Sequence, residues 1–524
     1  MANPDNVFYS KLLNRGLIFL AVFFSAVSLV YVFFGPSWPD EGHYFNNILL
    51  IAKGEIPYLD FWLYQGPVFC YAYSLLQSLF GPSMYLARLN SLFFVSLILV
   101  LVYLISKRLA SKTAGTIAVA LIALNPLSLR FFTSISTYAL TAFLILLSLY
   151  LLIDSDHRFY KKILSASLMV LAVGVRTTVF PAPVLLLIYL LVKEKNNRLR
   201  AGIILAASLI TALLIWGPFL IIARDQTIFG NIGWYFQSQE FILDSVYQLN
   251  FWAMVQNKIF IIFELLRNYL AIWSILSVFL ISRLLQKNIR PWRNSLLYCF
   301  ASITLMLILV HFILPRKSYT IYILYCLPLL AVLTAVAFSR MFSELQNLKS
   351  RRYFMILILV LILFTALIQV KGPLPSLFSP QSADLAYINR VASYLKTVTR
   401  ENDEIFSFYQ HFVAQADRSL PSGLELSIYA YVPGWDEERC KKYRLYNTKM
   451  IMDYISSRKA RALILTDKDY RRFAPEADLG HARDFWLRLK EEIGKNYYLT
   501  KEITRAKGRI TKTYVYLPKD PRYR

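Results

Sequence analysis

The segment Trp38-Pro39-Asp40-Glu41-Gly42-His43-Tyr44 follows the first apolar run of the chain, residues 17–34, which carries almost no charge. Two adjacent carboxylates at the mouth of a membrane helix cost free energy unless they face water or take part in chemistry. The segment therefore predicts an enzyme whose active site lies at the membrane surface.

Apolar residues are unusually frequent in the rest of the chain. Of its 524 residues, 57% are hydrophobic and 15% are aromatic, whereas soluble domains are about 45–50% apolar. Runs of about 18 or more mostly apolar residues recur as far as about residue 371, which predicts a polytopic α-helical membrane protein.

The net charge of +25 does not indicate a nucleic-acid-binding protein. Much of the charge lies in short loops between apolar runs, where the positive-inside bias accounts for it, and no basic-aromatic motif accompanies it. The four cysteines show no paired spacing, so they predict neither a disulfide framework nor a zinc site. We therefore expect no nucleic-acid partner, and no set of metal ligands stands out.

The loop charges predict the membrane topology. Basic residues follow the second, fourth, sixth, eighth and tenth of eleven candidate spans, which puts those loops and the N-terminus in the cytoplasm. The first span is expected to stay uncleaved because its apolar run is too long for a signal peptide. Everything after Lys371 is then expected outside. The eleven spans are residues 16–35, 88–106, 114–131, 137–153, 162–175, 178–192, 200–222, 259–282, 294–314, 319–338 and 353–371.

Two long external loops are predicted to carry surface helices and aromatic residues. The run from Val68 to Phe80 is short for a span, and counting it would move every later basic loop outside, so we expect a helix in the interface. A second surface helix is predicted over Glu41–Lys53. The second loop, about residues 223–258, carries Trp234 and Trp252, which suit the headgroup region.

The region around residues 162–192 is predicted to be a broken pair of helices. Gly174-Val175-Arg176-Thr177-Thr178 interrupts the apolar pattern there. Broken helices at membrane depth are tolerated where they line a cavity, and Arg176 is expected at the external end of the break.

The pattern changes to that of a soluble α/β domain from Ser379 onward. Helices are predicted over residues 383–398, 449–457 and 485–493, and strands over 404–408, 462–466, 498–504 and 511–517. We therefore divide the chain into a transmembrane catalytic domain, residues 1–371, whose first external loop spans 36–87, and an extracytoplasmic α/β domain, residues 372–524.

Polar groups collect on the predicted outer side of the membrane. A carboxylate beside several cations suits the transfer of a sugar from a polyprenyl phosphate, because a base must take the acceptor proton and cations must stabilise the phosphate leaving group. The groups from the first loop are Asp40, Glu41, His43, Lys53, Glu55, Asp60 and Gln65. Those from other outer ends are Arg88, Arg130, Arg176, Arg224, His311, Arg316 and Lys317.

A series of short motifs marks the first external loop and two later positions. They are Asp40-Glu41-Gly42-His43-Tyr44, Gly54-Glu55-Ile56-Pro57-Tyr58-Leu59-Asp60, Gly66-Pro67, Phe80-Gly81-Pro82-Ser83, Ala87-Arg88-Leu89, Gly174-Val175-Arg176 and Pro315-Arg316-Lys317-Ser318-Tyr319. In this pattern the chain resembles the C-type (GT-C) glycosyltransferases, which include the lipid A aminoarabinose transferases and the protein O-mannosyltransferases. The resemblance covers most of residues 36–340.

The resemblance implies a role for each matching position. Asp40 corresponds to the catalytic aspartate, the general base, and Glu41 to a neighbouring acid that positions it or contacts the acceptor. Arg176 and Lys317 correspond to basic residues near the donor phosphate. The remaining candidates for donor or substrate contacts are Arg316, Asp60, Gln65 and His43.

Two departures from the family pattern argue against identical donor and acceptor chemistry. The aminoarabinose transferases carry a lysine directly before the proline at Pro67, where this chain has Gly66. They also carry an acid near the outer end of the third span. Residues 134–138 contain none, so Asp60 or Glu55 is expected to compensate.

The candidate residues also have structural alternatives. Asp40 could be the N-cap of the following helix, Arg176 could bond the carbonyls of the broken helix, and Arg316 and Lys317 could be cations that snorkel at a helix end. Arg88 and Arg130 are expected to be lipid-headgroup anchors, and His43 and His311 to be surface or hydrogen-bonded histidines.

The favoured hypothesis is an integral-membrane, inverting glycosyltransferase. Its donor is a polyprenyl-phosphate sugar, no further cofactor is expected, and the acceptor is a hydroxyl on a glycan, lipid or protein. It is expected in the cytoplasmic (inner) membrane with its site outside. One alternative is a transporter or flippase of lipid-linked sugars, disfavoured because no inverted repeat is evident and the charges cluster at one face. The other is an O-antigen-type ligase or polymerase, which uses diphosphate donors.

Overall fold

The computed structural model of the chain describes residues 4–153, 155, 158–236, 251–285, 295–315, 317–344, 356, 360, 364, 384–472, 483–505 and 510–519, with side chains except at 4–13, 126, 282–285 and 428. The chain divides into two compact units. The helical unit comprises Met1–Val32, Leu89–Ile215 and Met254–Gly372, and the sheet unit comprises Phe33–Arg88, Trp216–Ala253 and Pro373–Arg524. The predicted boundary at residues 371/372 lies outside the described residues, while both external loops group with the C-terminal part.

The first 344 residues are helical wherever regular structure is described. The helices are α1 (Pro4–Phe34), α2 (Glu41–Ala52), α3 (Val68–Phe80), α4 (Met84–Leu109), α5 (Lys112–Ala123), α6 (Pro126–Phe131), α7 (Thr137–Leu152), α8 (Phe159–Val175), α9 (Pro181–Lys193), α10 (Arg198–Ile222), α11 (Arg224–Ile228), α12 (Phe251–Asn268), α13 (Leu270–Leu285), α14 (Ser295–Ile313) and α15 (Leu327–Glu344). Short 3₁₀ helices cover Thr177–Val179 and Thr320–Cys326, and a π-helical turn covers Phe229–Gly233.

Five of the described helices are long and apolar enough to cross a membrane. They are Asn14–Phe34, Met84–Leu109, Arg198–Ile222, Ser295–Ile313 and Thr320–Glu344, and a bent pair, Phe251–Asn268 with Leu270–Ile281, can form a sixth. Shorter apolar helices, Lys112–Ala123, Thr137–Leu152 and Thr177–Lys193, fall within other predicted spans. The chain is thus a mostly helical membrane protein with several apolar helices. The count of eleven stays a prediction, because the last predicted span lies almost wholly outside the described residues.

Two predicted spans are broken where the sequence pattern indicated continuous helices. Residues 114–131 divide at Asn125, whose side-chain oxygen accepts from the N–H groups of Leu127 and Ser128 and so caps a new helix that begins with Pro126. Residues 259–282 divide near Asn268 with a bend of 87°. The Asn125 amide donates to the Asn268 carbonyl at 2.9 Å, so the two breaks stabilise each other.

The break predicted around Arg176 is confirmed. Helix α8 ends at Val175, a single 3₁₀ turn follows, and α9 begins at Pro181. Away from this break, a buried ion pair of 2.6 Å joins Lys162 near the start of α8 to Glu194 at the end of α9. The two short helices are therefore held to each other at the end remote from the break.

The C-terminal part forms a four-stranded mixed sheet. Strands β1 (Ile405–Ser407), β2 (Ala462–Thr466), β3 (Tyr497–Thr504) and β4 (Lys512–Pro518) lie in the order β1-β2-β4-β3. β1 and β2 are parallel, and the other two pairings are antiparallel. The helices are α16 (Asp384–Val398), α17 (Gln410–Gln415), α18 (Glu437–Tyr443), α19 (Thr448–Ser456), α20 (Asp467–Arg472) and α21 (Arg483–Asn496). The predicted strands and the three predicted helices match within two or three residues.

The two loops predicted to be external contribute large aromatic side chains to the core of the sheet unit. Trp62 from the first loop and Trp234 from the second lie edge to face at 4.5 Å between ring centroids. Phe229 packs on Tyr443 of α18 at 4.3 Å. The expectation that Trp234 lies among lipid headgroups is wrong, because it is 6% exposed in this core, whereas Trp252 is 70% exposed.

Candidate functional site

A buried ion pair between Glu41 and Arg88 fixes the first turn of α2. The Arg88 guanidinium donates two parallel bonds to the carboxylate, Nε to Oε1 at 2.9 Å and Nη2 to Oε2 at 2.6 Å. Glu41 has no exposed surface and Arg88 is 2% exposed. The paired bonds of a guanidinium and a carboxylate fix both groups in direction as well as distance. The start of α2 is therefore tied to the first turns of α4.

The same ion pair holds the loop that leads into α2. Oε2 of Glu41 accepts from the Trp38 N–H at 2.9 Å, and Nη1 of Arg88 donates to the Gly35 carbonyl at 3.2 Å. The expectation that Arg88 anchors lipid headgroups is wrong, because a buried carboxylate needs a buried countercharge. For Glu41 this geometry favours the positioning role over contact with an acceptor.

Asp40 lies on this fixed loop, immediately before α2. Its backbone is helical, with φ −76° and ψ −14°, and its side chain makes no capping hydrogen bond to the helix. The capping alternative is therefore not supported. Asp40 is a partly exposed residue on this fixed segment, which suits a general base because such a group must be reached by the acceptor.

A cluster of hydrogen-bonded side chains lies beside the first turns of α2. Nε2 of His43 lies 2.8 Å from the Tyr64 hydroxyl, which also donates to the Tyr44 hydroxyl at 3.1 Å. The Gln65 amide donates to the same Tyr44 hydroxyl at 3.1 Å. His43 and Gln65 are 4% and 5% exposed. These partners favour a supporting role for both side chains, and their contact with substrate stays a prediction.

Burial sets the protonation of this cluster. It lowers the pKa of His43 to about 3, with a smaller contribution from His411, so the ring is neutral at neutral pH. Burial also raises the pKa of Tyr64 well above its usual value, and the negative charge of Asp40 adds to that rise. The His43 ring and the Tyr64 hydroxyl are therefore both uncharged at neutral pH, and the charge of Asp40 lies close enough to act on Tyr64.

Asp60, another predicted contact, closes a tight turn of the first loop. Its Oδ2 accepts from the Ile56 N–H at 2.7 Å, and its own N–H donates to the Ile56 carbonyl at 2.8 Å. The carboxylate thus has a local structural partner. A contact between Asp60 and substrate stays a prediction.

Arg176 is the centre of a cluster of polar and aromatic side chains in the helical unit. It is 6% exposed, and Nη1 donates to the Thr137 hydroxyl at 3.0 Å. Its guanidinium carbon lies 4.7 Å from the ring centroid of Tyr138 and 5.9 Å from that of Tyr325. Aromatic faces stabilise a guanidinium without neutralising it. Arg176 is thus a fixed, permanently charged group.

His311 completes this arginine cluster. One ring nitrogen, Nδ1, lies 2.6 Å from the Tyr325 hydroxyl, and Nε2 lies 2.9 Å from the Thr178 hydroxyl. The expectation of a hydrogen-bonded histidine is therefore confirmed for His311. The Thr178 contact ties α14 to the 3₁₀ turn that follows Arg176.

Lys317 lies on a loop that Lys258 organises from within the helical unit. Nζ of Lys258 donates to the carbonyls of Phe312 and Pro315 and to the Ser318 hydroxyl. Nζ of Lys317 lies 5.6 Å from the ring centroid of Tyr319, and partial burial lowers its pKa. Arg316 lies outside the described residues.

Sequence reasoning missed the part played by Lys258. It stands just before a predicted span and away from the basic loops that fixed the topology, and that isolation is the signal that could have found it. In the part of the chain that the structure describes, no group of three or more His, Cys, Asp or Glu side chains could hold a metal ion. The described candidate residues themselves supply carboxylates, Asp40 and Glu41, and buried or partly buried cations, Arg176 and Lys317.

Comparisons with known proteins found a matching family model and several similar solved structures. A family model described as dolichyl-phosphate-mannose-protein mannosyltransferase matches residues 64–222. No curated protein matches the chain by sequence. The crystal structure of ArnT from Cupriavidus metallidurans bound to undecaprenyl phosphate is 15% identical, with a TM-score of 0.58 over 94% of this chain and 97% of that one. The chain has the GT-C glycosyltransferase fold.

A second group of solved structures supports the same fold. The oligosaccharyltransferase of Archaeoglobus fulgidus in its apo form is 12% identical with a TM-score of 0.56, over 96% of this chain and 74% of that one. The archaeal oligosaccharyltransferase AglB from Archaeoglobus fulgidus, in complex with an inhibitory peptide and a dolichol-phosphate, is 13% identical with a TM-score of 0.55 over the same shares. With the family model, these matches confirm the resemblance to the GT-C superfamily and the prediction of a glycosyltransferase.

Proposed function

We propose that this protein is an inverting glycosyltransferase of the cytoplasmic membrane that uses a polyprenyl-phosphate sugar as donor. The acceptor is a hydroxyl of a glycan, lipid or protein on the extracytoplasmic side. Asp40 is the general base. The observation that carries the proposal is the partly exposed Asp40 carboxylate on a loop that a buried ion pair fixes, in a chain with the fold of an enzyme solved with undecaprenyl phosphate bound.

The reaction is a single displacement at the anomeric carbon. The acceptor oxygen attacks that carbon while its proton passes to the Asp40 carboxylate. The bond from the anomeric carbon to the phosphate oxygen breaks, and its electron pair leaves with the polyprenyl phosphate. A phosphate leaves readily without protonation, so a single general base is enough for the reaction. Because there is only one displacement, the configuration of the anomeric carbon is inverted.

Fixed cations stabilise the charge that develops on the phosphate. Arg176 suits this role because its guanidinium keeps its charge and offers several donors in a plane. Lys317 supplies a second charge, and burial that lowers its pKa also strengthens its interaction with an anion. Arg316, which adjoins Lys317 in the sequence, is proposed as a further contact.

The proposed topology puts the site and the sheet unit on the extracytoplasmic side of the membrane. Loop charges put the N-terminus in the cytoplasm and both external loops with residues 372–524 outside. The sheet unit shares one core with those loops, which suits a role in covering or selecting the acceptor. No metal or further cofactor is proposed.

Reconstitution in sealed vesicles tests the proposal. Purified protein is given undecaprenyl-phosphate-linked radiolabelled hexoses or pentoses, and acceptors extracted from membranes are incorporated into the same vesicles before the detergent is removed. We expect release of undecaprenyl phosphate together with transfer of label to a product. Movement of intact donor across the bilayer without cleavage would instead support a flippase, and use of only diphosphate-linked donors would support a ligase or polymerase.

A further inference from the structure

The C-terminal part of the chain reaches the Asp40 loop through a buried histidine. His411, in α17, is 6% exposed, and its Nε2 lies 3.1 Å from the Trp38 carbonyl oxygen. A carbonyl only accepts, so His411 carries the proton on Nε2 and donates it. The same carbonyl accepts the Glu41 N–H at 3.1 Å. The backbone on both sides of Asp40 therefore converges on one acceptor that His411 holds.

The contact between α17 and α2 depends on a glycine. A Cβ atom added to Gly42 would lie 2.6 Å from Nδ1 and 2.8 Å from Cε1 of His411. Such distances are far below van der Waals contact, so any larger residue must displace the ring or the helix. The imidazole lies directly on the first turn of α2, within two residues of Asp40.

A second residue from the C-terminal part of the chain, Asp384, holds the Asp40 loop one residue before Trp38. The Ser37 N–H donates to Oδ2 of Asp384 at 2.6 Å, and Oδ1 of Asp384 pairs with Arg505. Asp384 and His411 thus hold the loop at Ser37 and Trp38, and Glu41 with Arg88 holds it at Gly35 and Trp38. Contacts from both ends of the sequence fix the backbone that presents Asp40.

We infer that His411 is a positioning residue for glycosyl transfer, which sets the orientation of Asp40 through the Trp38 carbonyl and the first turn of α2. This inference rests on the proposed function, in which Asp40 is the base. It makes the C-terminal domain part of the catalytic apparatus and not only a cover for the acceptor. A base displaced by about an ångström loses much of its effect, because proton transfer needs hydrogen-bond distance.

Three substitutions of His411 separate packing from hydrogen bonding. His411→Ala removes both, His411→Phe keeps a ring without a donor, and His411→Gln keeps a donor of similar reach. Release of undecaprenyl phosphate from undecaprenyl-phosphate-linked radiolabelled sugar is measured in vesicles. We expect kcat to fall at least tenfold in the alanine and phenylalanine variants, with donor KM within threefold of wild type, and to recover partly in the glutamine variant.

Gly42→Ala gives an independent arm of the experiment. Alone it is expected to lower kcat about as much as His411→Ala, whereas in the His411→Ala background it adds little, because the ring it would strike is gone. Gln415→Ala is the matched control. It lies at the other end of α17, where its side chain accepts from the Met84 N–H, and it should keep kcat within twofold.

Hydrogen exchange supplies a readout that does not depend on turnover. His411→Ala should speed exchange in the peptide that contains residues 38–44 at least tenfold and leave β2 unchanged, which also shows that the variant is folded. Wild-type kcat and wild-type exchange in His411→Ala would overturn the positioning role while the proposed function stands. A wild-type protein that never releases undecaprenyl phosphate would overturn the proposed function, and the positioning role with it.

Discussion

Removing one partner of the Glu41–Arg88 pair is expected to destabilise the sheet unit strongly. Both groups are essentially inaccessible to solvent, and the pair makes two direct bonds of 2.9 and 2.6 Å. Glu41→Leu leaves a buried guanidinium without its countercharge, and Arg88→Met leaves a buried carboxylate. Each single change should cost about 3–5 kcal/mol.

The double variant is expected to be more stable than either single variant. With both charges gone, the remaining cost comes from the Trp38 N–H and the Gly35 carbonyl, which lose the partners described above at about 1–3 kcal/mol each. Each of these two losses is already present in one of the single variants. The single costs therefore do not add, because the unpaired charge that raises each of them is absent from the double variant, and the coupling energy between the two sites should be about 3 kcal/mol.

Urea unfolding of the detergent-purified protein, followed by tryptophan fluorescence, measures these differences. Trp62, Trp234 and Trp486 are buried in the core of the sheet unit and report its unfolding. Glu437→Gln, which breaks an exposed pair with Lys441, serves as the control and should leave the transition unchanged. Single variants as stable as wild type, or a double variant as unstable as the sum of the two, would refute the account of this pair.

Three further changes test other parts of the structure. Burial raises the pKa of Glu425 to about 7 from an ordinary 4.5, so its stabilising contribution is fully present below about pH 4.5 and is lost as the pH rises through about 7. Glu425→Gln should therefore gain up to about 3 kcal/mol on wild type between those values in unfolding titrations, and parallel pH profiles would contradict this. Arg176→Lys keeps the positive charge but loses the planar set of guanidinium N–H donors, so the KM for the donor should rise about tenfold in the vesicle assay. An unchanged KM would argue against a contact between Arg176 and the donor phosphate. Gly230→Ala would drive a Cβ atom into the backbone oxygen of Leu63, so it should cost about 1–3 kcal/mol in urea unfolding. Full stability would show that the segments around Leu63 and Gly230 can separate without cost.

Much of the local structure could be predicted because it depends on neighbouring residues. The helix predicted over 41–53 is observed as Glu41–Ala52, and the run from Val68 to Phe80 forms one helix with those bounds. The expectation that the first of these is a surface helix is wrong, because ten of its twelve residues are buried. The strands of the C-terminal sheet follow from short apolar runs between turn residues. The breaks at Asn125 and Asn268 were missed, because apolar composition continues across them and a cap depends on only one or two residues.

The tertiary partners could not be predicted from local pattern. The local pattern predicts a headgroup anchor at Arg88, because the outer end of a predicted span is a typical place for one, and nothing in the neighbouring sequence indicates Glu41 as its partner. His411 lies 373 residues from Trp38, so no periodicity connects them. The role proposed for Asp40, in contrast, comes from the sequence itself, from adjacent carboxylates after a membrane helix and from the motif shared with the family.

The central claim is that Asp40 takes the acceptor proton, and single-turnover release of undecaprenyl phosphate by Asp40→Asn tests it most directly. Asparagine has nearly the same shape and cannot accept the proton, so the rate should fall about 10²–10⁴-fold with donor affinity within threefold. Asp436→Asn, at the N-cap of α18, is a matched control that should keep the full rate, since asparagine caps as well as aspartate. Release by Asp40→Asn at the wild-type rate would contradict the claim.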